Sequence, residues 1–220
     1  SLFSGIGGID LGLERAGMSC LWQVEINPFC QRVLEKHWPG VPRFQDVRAV
    51  GAANLAHVDL IAGGFPCQPF SSASRGKRKG TEDDRWLWPE MFRVIKALRP
   101  SWVLVENVTH FDGAGLEQVV SDLESDDYQV APPLEVPACA FGFDHRRSRL
   151  WILGYSNSNS ESSGSNKGEV AVLQRTDRHS GGLGKAHGVS TRMDRLAALG
   201  NAVVPDIVEW IGRRILEVTF

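Results

Sequence analysis

Phe3-Ser4-Gly5-Ile6-Gly7-Gly8 is the stretch on which the reading of the fold turns. Three glycines in six residues allow a tight turn and a close approach to the backbone, and the apolar positions on either side change period across it. Ser1-Leu2-Phe3 reads as the end of a strand, so most of that first strand is expected upstream of this numbering. Downstream, Ile9, Leu13 and Ala16 share a helical face that stops at Gly17. A strand then runs from Cys20 to Glu25, and Pro28 opens a helix that turns Phe29, Val33 and Leu34 inward. Asp46 follows a short third segment. A fourth strand is read from Val58 to Ala62, closed by Gly63-Gly64. A fifth runs from Trp102 to Val105 and ends at Glu106-Asn107, with an amphipathic helix over Pro89 to Leu98 between the two. Leu116 to Leu123 reads as a helix, and Tyr128 to Val136 and Leu150 to Leu153 as further strands. Alternation of this kind predicts an α/β fold, with a mostly parallel sheet and helices on both faces.

The chain has 220 residues, 42% of them hydrophobic, which suits one principal domain. Its 24 Lys and Arg against 26 Asp and Glu give a net charge of −2, so no global field draws it to a polyanion. Any basic footprint is local: Arg75, Lys77, Arg78 and Lys79 form one cluster, and Arg146, Arg147 and Arg149 another. Cys20, Cys30, Cys67 and Cys139 are scattered without metal-ligand spacing, so no metal site is expected. There is no signal peptide and no apolar run of membrane-spanning length; the expectation is a cytoplasmic protein with reduced thiols and no membrane partner. From Ser156 to Gly188 the composition shifts to Ser, Asn and Gly, which predicts a flexible insert. Order is expected to resume near Met193, with a short helix and then a longer C-terminal one begun by Pro205.

Open parallel sheets bind ligands at the carboxyl ends of their strands, and three features gather at that edge. The glycine turn exposes backbone N–H groups beside a helix N-terminus. Glu25 ends the second strand and Asp46 follows the third, where carboxylates accept hydrogen bonds from ribose hydroxyls; together they describe an adenosine pocket. Just past the fourth strand, Gly63-Gly64-Phe65-Pro66-Cys67-Gln68-Pro69-Phe70-Ser71 holds a cysteine between two prolines. A core cysteine belongs in an apolar run, whereas Cys67 lies in a stiff polar loop at the ligand edge, as a nucleophile would.

This stretch resembles the prolyl-cysteinyl motif of the DNA cytosine-5 methyltransferases, and Phe3 to Gly8 resembles that family's cofactor loop. Further matches follow in family order: Glu106-Asn107-Val108, His145-Arg146-Arg147-Ser148-Arg149, and Gly200-Asn201-Ala202-Val203-Val204-Pro205. The resemblance covers Leu2 to Tyr155 and Arg192 to Phe220. It implies a Rossmann-like S-adenosylmethionine-dependent methyltransferase fold acting on cytosine in DNA. The resemblance assigns catalysis to Cys67, Glu106, Arg147 and Arg149. It assigns S-adenosylmethionine to Phe3, Gly5, Gly7, Gly8, Glu25, Asp46, Asn201 and Val203. On this reading residues 1–155 form the catalytic and cofactor-binding domain, 156–190 a short flexible remnant of the target-recognition region, and 191–220 a segment returning to the catalytic domain. Residues 71–85 resemble the family's active-site loop. Two departures stand out: the recognition region is much shorter than usual, and His145 stands where many relatives have glutamine. An RNA (tRNA) cytosine-5 methyltransferase and a non-catalytic S-adenosylmethionine-binding remnant are the alternative readings. Recognition sequence and oligomeric state are not read from the sequence.

Overall fold

The computed structural model describes residues 1–66, 86–109, 111, 113–145, 147–156 and 202–219. Seven strands occur among them: β1 (Gln23–Val24), β2 (Arg43–Phe44), β3 (Leu60–Gly63), β4 (Trp102–Val108), β5 (Tyr128–Val130), β6 (Leu134–Pro137) and β7 (Ser148–Ser156). Five α-helices accompany them: α1 (Gly8–Ala16), α2 (Pro28–His37), α3 (Trp88–Leu98), α4 (Ala114–Ser125) and α5 (Pro205–Thr219).

β1 pairs with β2, and β3 with β4, both in parallel. Leu2 joins the two pairs, making parallel bridges to Val24 on one side and Gly63 on the other. Its N–H donates to the carbonyl of Ala62 at 2.9 Å, while the Val24 N–H donates to the carbonyl of Ser1 at 3.0 Å. Beyond β4 lies β7, antiparallel to it, and β5 and β6 are both antiparallel to β7. All the other strands therefore run in one direction and β7 alone opposes them. This is the expected α/β fold with its mostly parallel sheet.

Both faces are covered, as the alternation along β4 shows. Val103 and Val105 point into a core with Ile61, Ile152, Met91, Val94 and Ile95 of α3, and Val119 and Leu123 of α4. Leu104 points the other way, joining Ala62, Trp151, Ile9 of α1, and Ile207, Val208, Ile211 and Ile215 of α5. Since side chains alternate along a strand, Glu106 shares a face with Leu104 and Asn107 with Val105.

Several element boundaries differ from the expectation. The strand read from Cys20 to Glu25 is hydrogen-bonded as a ladder only at Gln23–Val24. Pro42 accepts from the Gln23 N–H but has no N–H to return, so pairing with β2 starts at Arg43. The strand expected to end before Glu106 continues to Val108, because β7 matches it residue for residue from Trp102↔Tyr155 to Val108↔Arg149. Glu106 and Asn107 thus sit inside a strand and not after one. The run from Tyr128 to Val136 divides into β5 and β6 at Ala131-Pro132-Pro133, where two prolines remove donors from the ladder. The third segment is the two-residue strand β2, and Asp46 then caps a short 3-10 turn, accepting from the Arg48 N–H at 2.9 Å. α3 and α5 form where expected, each with proline in its first turn or at its start. The insert, the short helix near Met193, and the basic cluster from Arg75 to Lys79 lie outside the described residues.

Candidate active site

Gly5 and Gly7 take the left-handed backbone that glycine permits, with φ of 57° and 86°, and Phe3 takes it as well, at 54°, against the preference of a residue with a side chain. Left-handed backbone at Gly5 and Gly7 is what a side chain there would strain. At Gly7 an added Cβ would also fall 2.4 Å from the Trp38 ring, whereas at Gly5 it would meet nothing within 4 Å. The backbone of Gly5 therefore lies beside open space.

Glu25 ties this turn to the second strand. One carboxylate oxygen accepts from the Gly5 N–H and the other from the Asn27 N–H, each at 2.7 Å. A carboxylate oxygen has a second lone pair, so both remain able to accept a hydroxyl hydrogen. Asn27 caps α2, its Oδ1 accepting from Phe29 N–H and Cys30 N–H, which fixes the exit from the turn. Pairing of β1 with β2 carries the Glu25 N–H to the Phe44 carbonyl at 3.0 Å, two residues before Asp46. The returning C-terminal segment reaches the same turn: an added Cβ on Gly8 would lie 2.8 Å from the Val203 carbonyl oxygen. Phe3, Gly5, Gly7, Gly8, Glu25, Asp46 and Val203 are thus gathered around one end of the sheet, while Asn201 lies outside the described residues.

A second group occupies the ends of β3 and β4 and the start of β7. Glu106 is 9% exposed, and its Oε1 pairs with the Nε of Arg149 at 2.8 Å. Burial raises the Glu106 pKa above the ordinary carboxylate range; Arg149 and then Arg147 pull it down, and burial wins. Burial also lowers the Arg147 pKa, helped by the like charge of Arg149 and opposed by Glu106. The backbone carbonyl of Arg147 accepts from the Ala138 N–H at 3.0 Å, and Arg149 Nη1 donates to the Ser148 carbonyl at 2.8 Å. His145 is exposed beside the Phe143 ring. Arg146 lies outside the described residues.

Cys67 also lies outside them; the described residues that flank positions 67–85 are Pro66 and Trp86. Phe65 is buried, its ring 5.2 Å from Trp86, 5.8 Å from Trp88 and 5.5 Å from Phe111, so aromatic packing joins the described residues on either side of positions 67–85. The Asn107 side chain turns toward the Phe65 carbonyl at 3.5 Å, and its Oδ1 accepts from the Val108 N–H. Phe65, Trp86 and Asn107 were not among the predicted site residues. Their signal was positional: one immediately precedes Pro66-Cys67, one follows the loop, and one neighbours Glu106. Of the three described thiols Cys139 is exposed, and Cys20 and Cys30 are poor nucleophiles. Burial, reinforced by Asp10, pushes Cys20 up to about 12, and burial with Glu25 pushes Cys30 up to about 11. Among the described residues no three His, Cys, Asp or Glu side chains come together as a metal site.

A mostly parallel sheet with one reversed strand, a glycine turn bound to a strand-end glutamate, and a buried acid paired with arginine at the same edge define the Rossmann-like fold of the S-adenosylmethionine-dependent methyltransferases. The chain belongs to the C-5 cytosine-specific DNA methylases, whose family model matches residues 1–181. It is 32% identical over 165 residues to the Type II methyltransferase M.DsaV of Dactylococcopsis salina, covering 73% of this chain and 46% of that protein. It is 37% identical over 162 residues to M2.BsuMI of Bacillus subtilis, covering 70% of this chain and 40% of the relative. The chain therefore spans less than half the length of these curated relatives. In fold it is similar to the methyltransferase EhMeth of Entamoeba histolytica, with a TM-score of 0.63 at 18% identity over 80% of this chain and 56% of that one.

Proposed function

We propose that this chain carries the catalytic and cofactor-binding residues of a DNA cytosine-5 methyltransferase that uses S-adenosylmethionine. The observation that supports it most is the buried Glu106, held by Arg149 at 2.8 Å and raised in pKa, beside the strand that leads into Pro66-Cys67. Cytosine C5 is too weak a nucleophile to accept a methyl group unaided. The Cys67 thiolate adds to C6 at the expense of the C5–C6 double bond and makes C5 electron-rich; once C5 carries the methyl group, loss of the C5 proton restores the double bond and expels the thiolate. Negative charge on the ring is relieved by a carboxylic acid that donates to N3 and contacts the exocyclic amine, and burial, by raising the Glu106 pKa, favours the protonated form this needs. Arg149 fixes the orientation of that acid, and Arg147 supplies a second guanidinium to hold the base.

The donor set at the glycine turn fits the proposed cofactor. Glu25 keeps an acceptor lone pair on each oxygen for ribose hydroxyls, the open face at Gly5 admits a ligand against the backbone, and Phe3, Gly7, Gly8, Asp46 and Val203 stand around the same turn, to which the family resemblance adds Asn201. When bound, S-adenosylmethionine supplies the sulfonium methyl. A base inside a duplex cannot reach such a site, so the target cytosine is flipped out at a cost of a few kcal/mol. No helix of the described residues is long and apolar enough to cross a membrane, and a cytoplasmic enzyme acting on DNA is the reading we adopt.

The test is methyl transfer from radiolabelled S-adenosylmethionine to mixed-sequence DNA, with tRNA as a parallel substrate. Label in DNA that is lost on Cys67→Ser is the expected result. Label in tRNA alone moves the substrate to RNA, and S-adenosylmethionine binding without transfer to either reduces the chain to a cofactor-binding remnant.

A further inference from the structure

The two glycines that close β3 do different things. An added Cβ at Gly63 would fall 2.6 Å from the Leu2 carbonyl oxygen, a backbone atom, so Gly63 is required by the joining of the two halves of the sheet. At Gly64 the Cβ would fall 2.5 Å from Oε2 of Glu106, and the next nearest atoms, the Glu106 carbonyl oxygen and Cβ, lie 3.4 and 3.6 Å away. The backbone of Gly64 is not left-handed, so an alanine there is opposed by the Glu106 carboxylate and by no conformational strain.

A carboxylate at the tip of a flexible chain could ordinarily swing aside, but this one is held. Its other oxygen is the one paired with Arg149, whose guanidinium is itself bonded to the Ser148 carbonyl. Glu106 also faces the buried Trp151 across the β4–β7 ladder. Gly63 and Val105 are paired in the parallel ladder, so Gly64 follows on the same face as Glu106. The absent side chain at position 64 is thus the space that Oε2 occupies.

We infer that Gly64 is a positioning residue for the reaction: by lacking a Cβ it lets the strand that leads to Cys67 approach β4 closely enough for Glu106 to lie between Gly64 and Arg149. The inference rests on the methyltransferase reading for its effect on turnover, but its geometric part stands without it. A methyl group at position 64 displaces Oε2, and the rigid carboxylate carries Oε1 away from Arg149. Asp at position 106 is one methylene shorter and withdraws the carboxylate from that methyl group.

The experiment compares the full chain with Gly64→Ala, Glu106→Asp and the double variant. Two quantities are read: kcat and KM for methyl transfer, and the titration of the Glu106 carboxyl followed by carbon-13 NMR. For Gly64→Ala we expect kcat to fall at least tenfold with KM for S-adenosylmethionine little changed, and the Glu106 pKa to move up as the Arg149 contact weakens. The double variant should be less impaired than the product of the two single losses. If Gly64→Ala does not fold, adding Glu106→Asp should restore folding, and failure to do so overturns the inference. Wild-type kcat together with an unchanged Glu106 titration in Gly64→Ala also overturns it. A wild-type chain that transfers no methyl group sinks the proposed function instead, and the titration then decides the inference alone.

Discussion

Glu106 and Arg149 meet along a diagonal of the antiparallel β4–β7 ladder: Glu106 faces Trp151 and Arg149 faces Val108, yet Nε reaches Oε1 across 2.8 Å. Both side chains are largely enclosed, at 12% and 17% exposure, so each is the main compensation for the other's desolvation. Above the pH at which Glu106 ionises in the folded chain, removing one partner leaves a charge with little water to replace it. Arg149→Met should therefore destabilise the fold by about 3 kcal/mol, the lower end for a broken buried pair because neither group is fully enclosed. Combining it with Glu106→Leu should recover most of that loss. Urea denaturation of the single and double variants measures both, and equal losses in the two would contradict the pairing argument.

The raised pKa of Glu106 gives stability a definite pH dependence. Between the unfolded carboxylate value, about 4.3, and the higher folded value, the native chain holds a proton that the unfolded chain has released. Proton binding favours the state that binds more, so the Glu106 contribution is fully present below the unfolded value. It is lost as pH rises through the folded one. Glu106→Gln should flatten this part of the curve, seen as a difference between wild type and variant in urea midpoints taken across pH. Arg149→Met removes a group that pulls the pKa down, so it should carry the window to higher pH. A wild-type curve that rises across the same window relative to Glu106→Gln would refute the sign.

The architecture and part of the candidate site were legible in the sequence, for reasons that differ by residue. The glycine turn, Glu25 and the strands around them are local signals: turn chemistry, period and a carboxylate at a strand end all lie within a few residues of one another. The partnership of Glu106 with Arg149 is not local. It depends on β7 lying antiparallel beside β4 in one register, and a shift of one residue would turn Arg149 to the opposite face. The same pairing extends β4 to Val108, past the boundary expected before Glu106, because the length of this strand is set by a partner distant in sequence. Gly63 and Gly64 read alike from the sequence, as the close of a strand, and only the position of Oε2 separates their roles.

Gly12 links the two ends of the described chain. A Cβ at Gly12 would fall 2.4 Å from Cβ of Val208 and 2.5 Å from the Pro205 carbonyl oxygen, where α1 crosses α5. Neither a β-branched stem nor a backbone carbonyl can swing away, so Gly12→Ala must push the helices apart. Overpacking of this kind costs about 1–3 kcal/mol. Because Val203 precedes α5 and packs on Gly8, the displacement should also reach the glycine turn. A lower urea midpoint together with weaker S-adenosylmethionine binding is expected. A drop in midpoint with unchanged binding would show that the turn is insulated from α5.

Glu25 tests the proposed cofactor pocket most directly, because it holds two backbone N–H groups with two different oxygens. Glu25→Gln keeps the shape but replaces one acceptor with an NH2 that cannot receive a hydrogen from Gly5 or Asn27. One N–H loses its partner, and the negative charge that strengthened both bonds is gone. A loss of about 1.4 kcal/mol corresponds to tenfold in affinity, and Glu25→Gln should weaken S-adenosylmethionine binding by at least that factor. Glu25→Ala releases both N–H groups and the turn they shape, so its loss should be larger. Isothermal titration calorimetry supplies the numbers, with thermal melting to verify that the fold is retained. An affinity unchanged in Glu25→Gln would mean that this carboxylate only braces the turn and that the ribose is bound elsewhere.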